Sequence, residues 1–402
     1  MPLLNSGSLT ERFHEAREII VDLFPHRRRP GKTYTAFSET WISHSNALLA
    51  LGQEHLCQVI EDMARNGNCW KHGHFVLFAS DGTRANAPRT AANQQGLGCC
   101  GRDVKDPQVW MTLLIHLGTG LPWAFEVDRG DSSERHHLKH MLGCLPAMAL
   151  LIADAGYCGY DLWWLMMHLR QAFLIRVGSN VTLIKGLQDA GLDVWNPKGS
   201  DRVYLWPKNM HRRWPPLELR LIELTDNKHS IYLVTNVLDD KKLSGQEAAE
   251  FYKMRWGIEL WFRSMKQTME ARELHSHAPV QAKEEMSWTA MSLTVLGLMH
   301  VQGLIDNGLS PSDISCSDGL KVVRRALRKR AKAKKRKPRL IKVLGHTLKD
   351  QYQRKGPKIT QPYPRKKTYR VAGPPNIQNA DAHQLERYKR FREIGTPLSL
   401  TA

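Results

Sequence analysis

Tyr252, Arg255, Glu259 and Lys266 put a phenol, a carboxylate and two permanent cations within fifteen residues. On a helix turning about 100° per residue, with Tyr252 at zero, Arg255 falls at about 300°, Lys266 at about 320° and Glu259 at about 340°. The four then share one stripe. A carboxylate set among cations suits a group that must hold a metal ion beside a phosphate chain, the cations gripping phosphate oxygens. The same pattern also arises on an ordinary amphipathic helix with mixed charge on its polar face, so neighbouring sequence has to decide.

Two aspartates supply that context. Asp81 follows the strand-like run Phe75–Ser80, and Asp154 follows Leu150-Leu-Ile-Ala153; both precede glycine-containing segments expected to be tight turns. Two strand-end aspartates and a helical glutamate would make an all-oxygen site of the kind hard divalent ions prefer. Three carboxylates can hold two ions about 3.5–4 Å apart, the arrangement that phosphodiester cleavage and transfer both use. Asp81, Asp154 and Glu259 are therefore the candidate catalytic and metal-ligating residues. Asp103, Asp106, Asp128 and Asp131 read as loop acids, and Glu126 is the best decoy ligand. His136 and His140 stand one helical turn apart, but no acid is spaced as in a zinc helix, which favours a solvated face.

The elements that would position these groups follow from texture. Residues 8–65 read as helical, opening on the capping-box-like Ser8-Leu-Thr-Glu11, with the basic turn Arg27, Arg28, Arg29 and Lys32 between helices. Strand patterns follow at 75–78, 109–115 and 121–127, then a helix near 133–145, a strand at 147–153, a helix at 160–171 and a strand at 172–177. The order predicts an α/β sheet with carboxylates at strand ends. Between 178 and 240 the pattern turns β-rich; Trp195, Trp206 and Trp214 lie there, where an aromatic could stack on a displaced base. Ser244 opens the striped helix, Met286–Leu304 is apolar enough for a core helix, and the tail after Arg370 gives no clear pattern.

The formal charge is +19, and it is concentrated. Residues 321–370 hold 21 Lys or Arg against the single acid Asp350, a local +20 that leaves the remainder near −1. Arg325 and Lys335 lie in its densest part, which would release counterions on a nucleic-acid backbone. Seven cysteines without a C-x-x-C pair favour reduced thiols over a disulfide frame or a zinc site. With no run of 18 apolar residues and no charged-then-apolar N-terminus, neither a membrane span nor a secretory signal is expected, so a cytoplasmic, nucleoid-associated protein is the expectation.

On these residues the sequence resembles the DDE transposases of the insertion-sequence-four family. The family signature Tyr-x2-Arg-x3-Glu-x6-Lys is complete at Tyr252, Arg255, Glu259 and Lys266, and the similarity takes in Asp81 and Asp154 over residues 74–300. One departure is Ala155, where the family often has arginine. The resemblance implies an RNase-H-like catalytic core with a β-rich insertion before the catalytic glutamate. That gives residues 1–70 as a helical DNA-binding domain, 71–177 and 241–310 as the core, 178–240 as the insertion and 311–402 as a basic C-terminal region. It further implies two Mg²⁺ or Mn²⁺ ions per site and cut-and-paste movement of double-stranded DNA between terminal inverted repeats and a target. A homodimer on paired ends goes with it, and Tyr252, Arg255 and Lys266 would hold phosphates. Trp206, Trp214, Arg28, Arg325 and Lys335 complete the expected DNA contacts. The alternatives are an RNase-H-like nuclease without strand transfer and a catalytically inactive DNA-binding protein.

Overall fold

The computed structural model describes residues 1–4, 7–98, 106–187, 201–209, 213–226, 229–330, 339–349 and 373–393. The strands among them are β1 (Val76–Asn86), β2 (Gln108–His116), β3 (Leu121–Arg129), β4 (Ala149–Ala153), β5 (Ala172–Val177), β6 (Thr182–Lys185), β7 (Arg202–Leu205), β8 (Leu217–Asp226), β9 (His229–Thr235) and β10 (Asn376–Asn379). The chain divides into two compact units. The first holds Met1–His72, Ala79–Cys144 and Trp256–Asp350; the second holds Gly73–Phe78, Leu145–Arg255 and Gln351–Ala402. This division follows contacts, and its limits differ from the four stretches expected from sequence texture.

In the first unit the N-terminal helix Leu9–Leu23 starts on a true capping box, Ser8 and Glu11 each satisfying the other's backbone N–H. The 33-residue helix Tyr34–Asn66 follows and lies against the helix Pro279–Asp306, where Ser45 accepts from Trp288 Nε1 at 2.6 Å and donates to Glu284. Pro279–Asp306 is long and apolar enough to cross a membrane by length and composition. Its Met286, Ala290, Leu293, Leu296, Val301 and Leu304 are nevertheless buried inside this unit, as expected of a core helix. β2 and β3 form an antiparallel hairpin whose every β2 residue is buried. Its turn is compact: a Cβ on Gly118 would stand 1.9 Å from the Cys69 carbonyl, so only glycine fits there.

In the second unit the strand order is β10-β6-β7-β8-β9-β5-β4, with the opening residues of β1 next to β4, where Val76 N–H donates to Met148 O at 3.0 Å. β4 runs parallel to β5, and β9, β8 and β7 continue antiparallel. Ala-Leu-Leu-Ile-Ala in β4 is fully buried, as a strand covered on both faces requires. β10 and the helix Ala382–Glu393 come from the uninformative tail. β10 pairs parallel with β6, and Tyr388 packs on Ile184, Leu187, Tyr204 and Trp206. The described cysteines Cys57, Cys69, Cys144, Cys158 and Cys316 are free thiols.

Candidate active site

Asp154 sits where β4 leaves the interior. Its backbone is still extended (φ −81°, ψ 175°), and a short 3₁₀ turn over Ala155–Tyr157 follows. The turn is tied down twice: Tyr157 N–H donates to Asp154 O at 3.0 Å, and Trp163 Nε1 donates to Tyr157 O at 3.0 Å. Because the buried Tyr157 anchors the turn, the Asp154 carboxylate is turned outward, 42% exposed. Tyr252 donates its phenol proton to Asp154 Oδ1 at 2.7 Å, and Arg255 Nη2 stands 3.6 Å from Oδ2. The Arg255 guanidinium lies 5.6 Å from the centre of the Tyr252 ring and is itself buried, 7% exposed. Burial, then the neighbouring Asp154 charge and its hydrogen bond, push the Tyr252 phenol upward in pKa, so it stays a donor.

The helix carrying Tyr252 runs Gly245–Met254 and begins on the Ser244–Glu247 capping box. It does not continue as the uniform helix expected from a 100° step. Arg255 and Trp256 form a turn that keeps helical dihedrals, Gly257–Arg263 resumes, and Ser264–Thr268 widens into a π-helix. A change of pitch on both sides of Glu259 cancels the angular arithmetic of the stripe, and π-turns of this kind recur at functional sites. Tyr252 and Arg255 fall in the second unit with Asp154; Glu259 and Lys266 fall in the first with Asp81.

Asp81 corrects a second expectation. It lies within β1, which runs on to Asn86, and no turn forms at Asp81-Gly82. The strand continues because Gly82 leaves room for Trp110: a Cβ there would stand 2.4 Å from the indole. Arg84 covers the same indole at 3.7 Å, and Trp110 Nε1 donates to Thr112 Oγ1 at 2.9 Å. Asp81 Oδ1 accepts from Gly82 N–H at 2.8 Å. At the end of β1, Asn86 N–H donates to Arg272 O (3.0 Å) and Leu274 N–H to Asn86 O (2.8 Å), fastening the segment after the π-helix to the strand.

Glu259 is half-buried on a helix whose Ile258, Trp261 and Phe262 are buried. Burial, then the charges of Arg272 and Arg84, pull the Lys266 ammonium below its ordinary pKa. Three cations thus gather in the first unit. Arg84 and Arg272 escaped the sequence reading, since nothing in their local pattern separates them from other surface arginines; the fastening of Arg272 to β1 is a tertiary event.

The remaining candidates divide. Trp206 is 3% exposed inside its apolar cluster and donates to Trp214 O at 2.8 Å; the helix Ala382–Glu393 covers it, so it offers no ring face to a base. Trp214 stays 42% exposed and meets Trp164 in an edge-to-face contact at 5.2 Å. Arg28 is exposed in the loop before Tyr34–Asn66, and Arg325 is exposed on the helix Cys316–Arg330. Lys335, Trp195 and Asp103 lie outside the described residues. Asp106, Asp128 and Asp131 pair with Arg89, Lys283 and Arg129. His140 and buried His137 both face Glu126. Among the described residues no group of three or more His, Cys, Asp or Glu side chains is already gathered for a metal ion. The candidate donors Asp81, Asp154 and Glu259 would nonetheless offer carboxylate oxygens alone, and Asp154 is open to solvent, a donor chemistry that fits a hard divalent cation.

Residues 74–295 match the family model described as the transposase DDE domain. The chain is 26% identical over 290 residues to the transposase InsG for insertion sequence element IS4 of Escherichia coli K12, covering 66% of this chain and 63% of that protein. A putative transposase for the element IS4SA of Synechocystis is 22% identical over 165 residues, covering 40% of this chain and 44% of the relative. The chain therefore spans less than two thirds of either relative's length. A cryo-EM structure of the piggyBac transposase synaptic complex with hairpin DNA aligns over 88% of this chain and 78% of that one, with 10% identity and a TM-score of 0.40. With the family model covering more than half of its residues, the chain belongs to the DDE transposases, among those of IS4-type insertion sequences.

Proposed function

We propose that this protein cuts double-stranded DNA at the terminal inverted repeats of its element and joins the freed ends to a target, acting as a homodimer on paired ends within the cytoplasmic nucleoid. Asp81, Asp154 and Glu259 are the proposed ligands of two Mg²⁺ or Mn²⁺ ions, on an RNase-H-like core into which the β6–β9 region is inserted. The observation that carries the reading is the contact of two signature residues, Tyr252 and Arg255, with Asp154, since residues about a hundred positions apart in sequence meet at one strand end. When bound, the metal supplies Lewis-acid activation of water or a 3′-hydroxyl and stabilises the leaving oxygen.

The chain's own residues do the rest. Lys266, with Arg84 and Arg272, offers a cationic corner for backbone phosphates, strengthened by partial burial. Exposed Arg28 and Arg325 in the first unit, and exposed Trp214 in the second, are further proposed DNA contacts, the last through base stacking. Asp81→Ala, Asp154→Ala and Glu259→Ala should each abolish Mg²⁺-dependent cleavage of labelled end DNA while binding in EDTA persists. Full cleavage by any one variant refutes its place in the triad. Cleavage without joined product in the wild type would identify a nuclease, and no metal-dependent change in DNA length would identify a binding protein.

A further inference from the structure

We propose that Tyr252 is a positioning residue for Asp154, holding the carboxylate by Oδ1 so that Oδ2, which faces Arg255 Nη2 at 3.6 Å, is the oxygen a divalent cation would meet. The assignment rests on the metal-ligand reading of Asp154 and departs from the phosphate-gripping role that the signature suggests. A phenol has a single proton to donate. Here that proton goes to Asp154 Oδ1 at 2.7 Å, so a phosphate contact by the same donor would require breaking this bond.

Both partners are held rigidly. The carboxylate stands on a turn tied by Tyr157 N–H and Trp163 Nε1. The phenol stands on a helix started by a capping box and seated through buried Ala248 and Phe251. Arg255 completes the arrangement, 3.6 Å from Oδ2 and 5.6 Å from the phenol ring centre. A hydrogen bond from a fixed outer partner sets the orientation and donor strength of a ligating carboxylate, and its loss typically lowers metal affinity about 10–100-fold.

The test uses Mn²⁺ alone as probe, titrated into the full-length protein by electron paramagnetic resonance. DNA binding is measured in parallel in EDTA by fluorescence anisotropy with end-bearing duplex. Tyr252→Phe keeps the ring and removes the proton, and its urea midpoint verifies folding. The expected result is Mn²⁺ affinity lowered by about an order of magnitude, with EDTA binding of DNA unchanged. Unaltered Mn²⁺ affinity in Tyr252→Phe overturns the assignment; if EDTA binding then falls, the phenol belongs to phosphate. Asp154→Ala separates the two levels, because Mn²⁺ binding that survives this change removes Asp154 from the metal site and the present proposal with it.

Discussion

In the second unit the chain brings side chains to Asp154 from a separate helix, whereas in the first it brings bulk against the backbone beside Asp81. Tyr252 and Arg255 hold the former through polar contacts that side-chain substitution can remove while the strand stays in place. The latter depends on Gly82 admitting the Trp110 indole, which Arg84 and Thr112 hold from two directions. Two acids of one proposed site thus differ in what can disturb them: a lost hydrogen bond for Asp154, a shifted strand for Asp81.

The largest effect that sharpens this contrast is one of pH on the first unit. His116 at the end of β2 is fully buried, its Nε2 facing the Trp70 carbonyl and its Nδ1 facing Thr119 Oγ1. Burial, ahead of the other influences, pulls its pKa from 6.5 down to about 4. Above the unfolded value both states are neutral and the stability is complete. Between about 6.5 and 4 the unfolded chain takes up a proton that the folded chain refuses, and stability falls with pH by about 3 kcal/mol, levelling below 4. His116→Gln has no such proton, so its deficit against wild type in urea unfolding should shrink by that order between pH 7.5 and 4.5. A deficit constant across this range would show that His116 is not shielded from water at the end of the hairpin.

Steric support for Asp81 predicts a smaller but more local effect. Gly82→Ala would put a methyl 2.4 Å from an indole with little freedom to retreat, an overpacking expected to destabilise by about 1–3 kcal/mol. Trp110→Leu in the same chain should recover part of the loss, giving a coupling measurable by a double-mutant cycle in urea. If Gly82→Ala unfolds at the wild-type midpoint, the indole is not what carries β1 past Asp81.

The same contrast explains what the sequence made legible. The strand patterns at 109–115, 121–127 and 172–177 coincide with β2, β3 and β5, and the β-rich stretch expected between 178 and 240 holds β6 to β9, because burial on one or both faces writes itself into alternation or continuous apolar runs. Asp154 was readable for that reason: the fully buried Ala-Leu-Leu-Ile-Ala has to end somewhere, and it ends there. Asp81 was misplaced at a turn, since Asp-Gly alone suggests one and the countervailing Trp110 lies 28 positions away. β10, Asn-Ile-Gln-Asn, is exposed throughout and has one apolar residue, Ile377; it is a strand because it pairs with β6. Trp206 looked available to a base until Tyr388 and its helix covered it from a tail without evident pattern. The pitch changes around Glu259 had no sequence marker beyond the exposed Trp256 between two helical runs.

The smallest expected effect distinguishes the cations of the two units. Lys266 is crowded by Arg84 and Arg272, and Arg272 is exposed, so a DNA phosphate arriving there would relieve repulsion already present. Arg255 is buried and directed at Asp154, with its charge already matched. Each phosphate neutralised contributes about 0.9 to the slope of log affinity against log salt concentration. Lys266→Ala and Arg272→Ala should therefore each flatten that slope by about one unit, uniformly across DNA sequences, whereas Arg255→Gln should leave it unchanged in EDTA. A slope that falls as much in Arg255→Gln as in Lys266→Ala would mean that the guanidinium leaves Asp154 for phosphate when DNA binds. The proposed division between a unit that orients the acid and a unit that meets the backbone would then be lost.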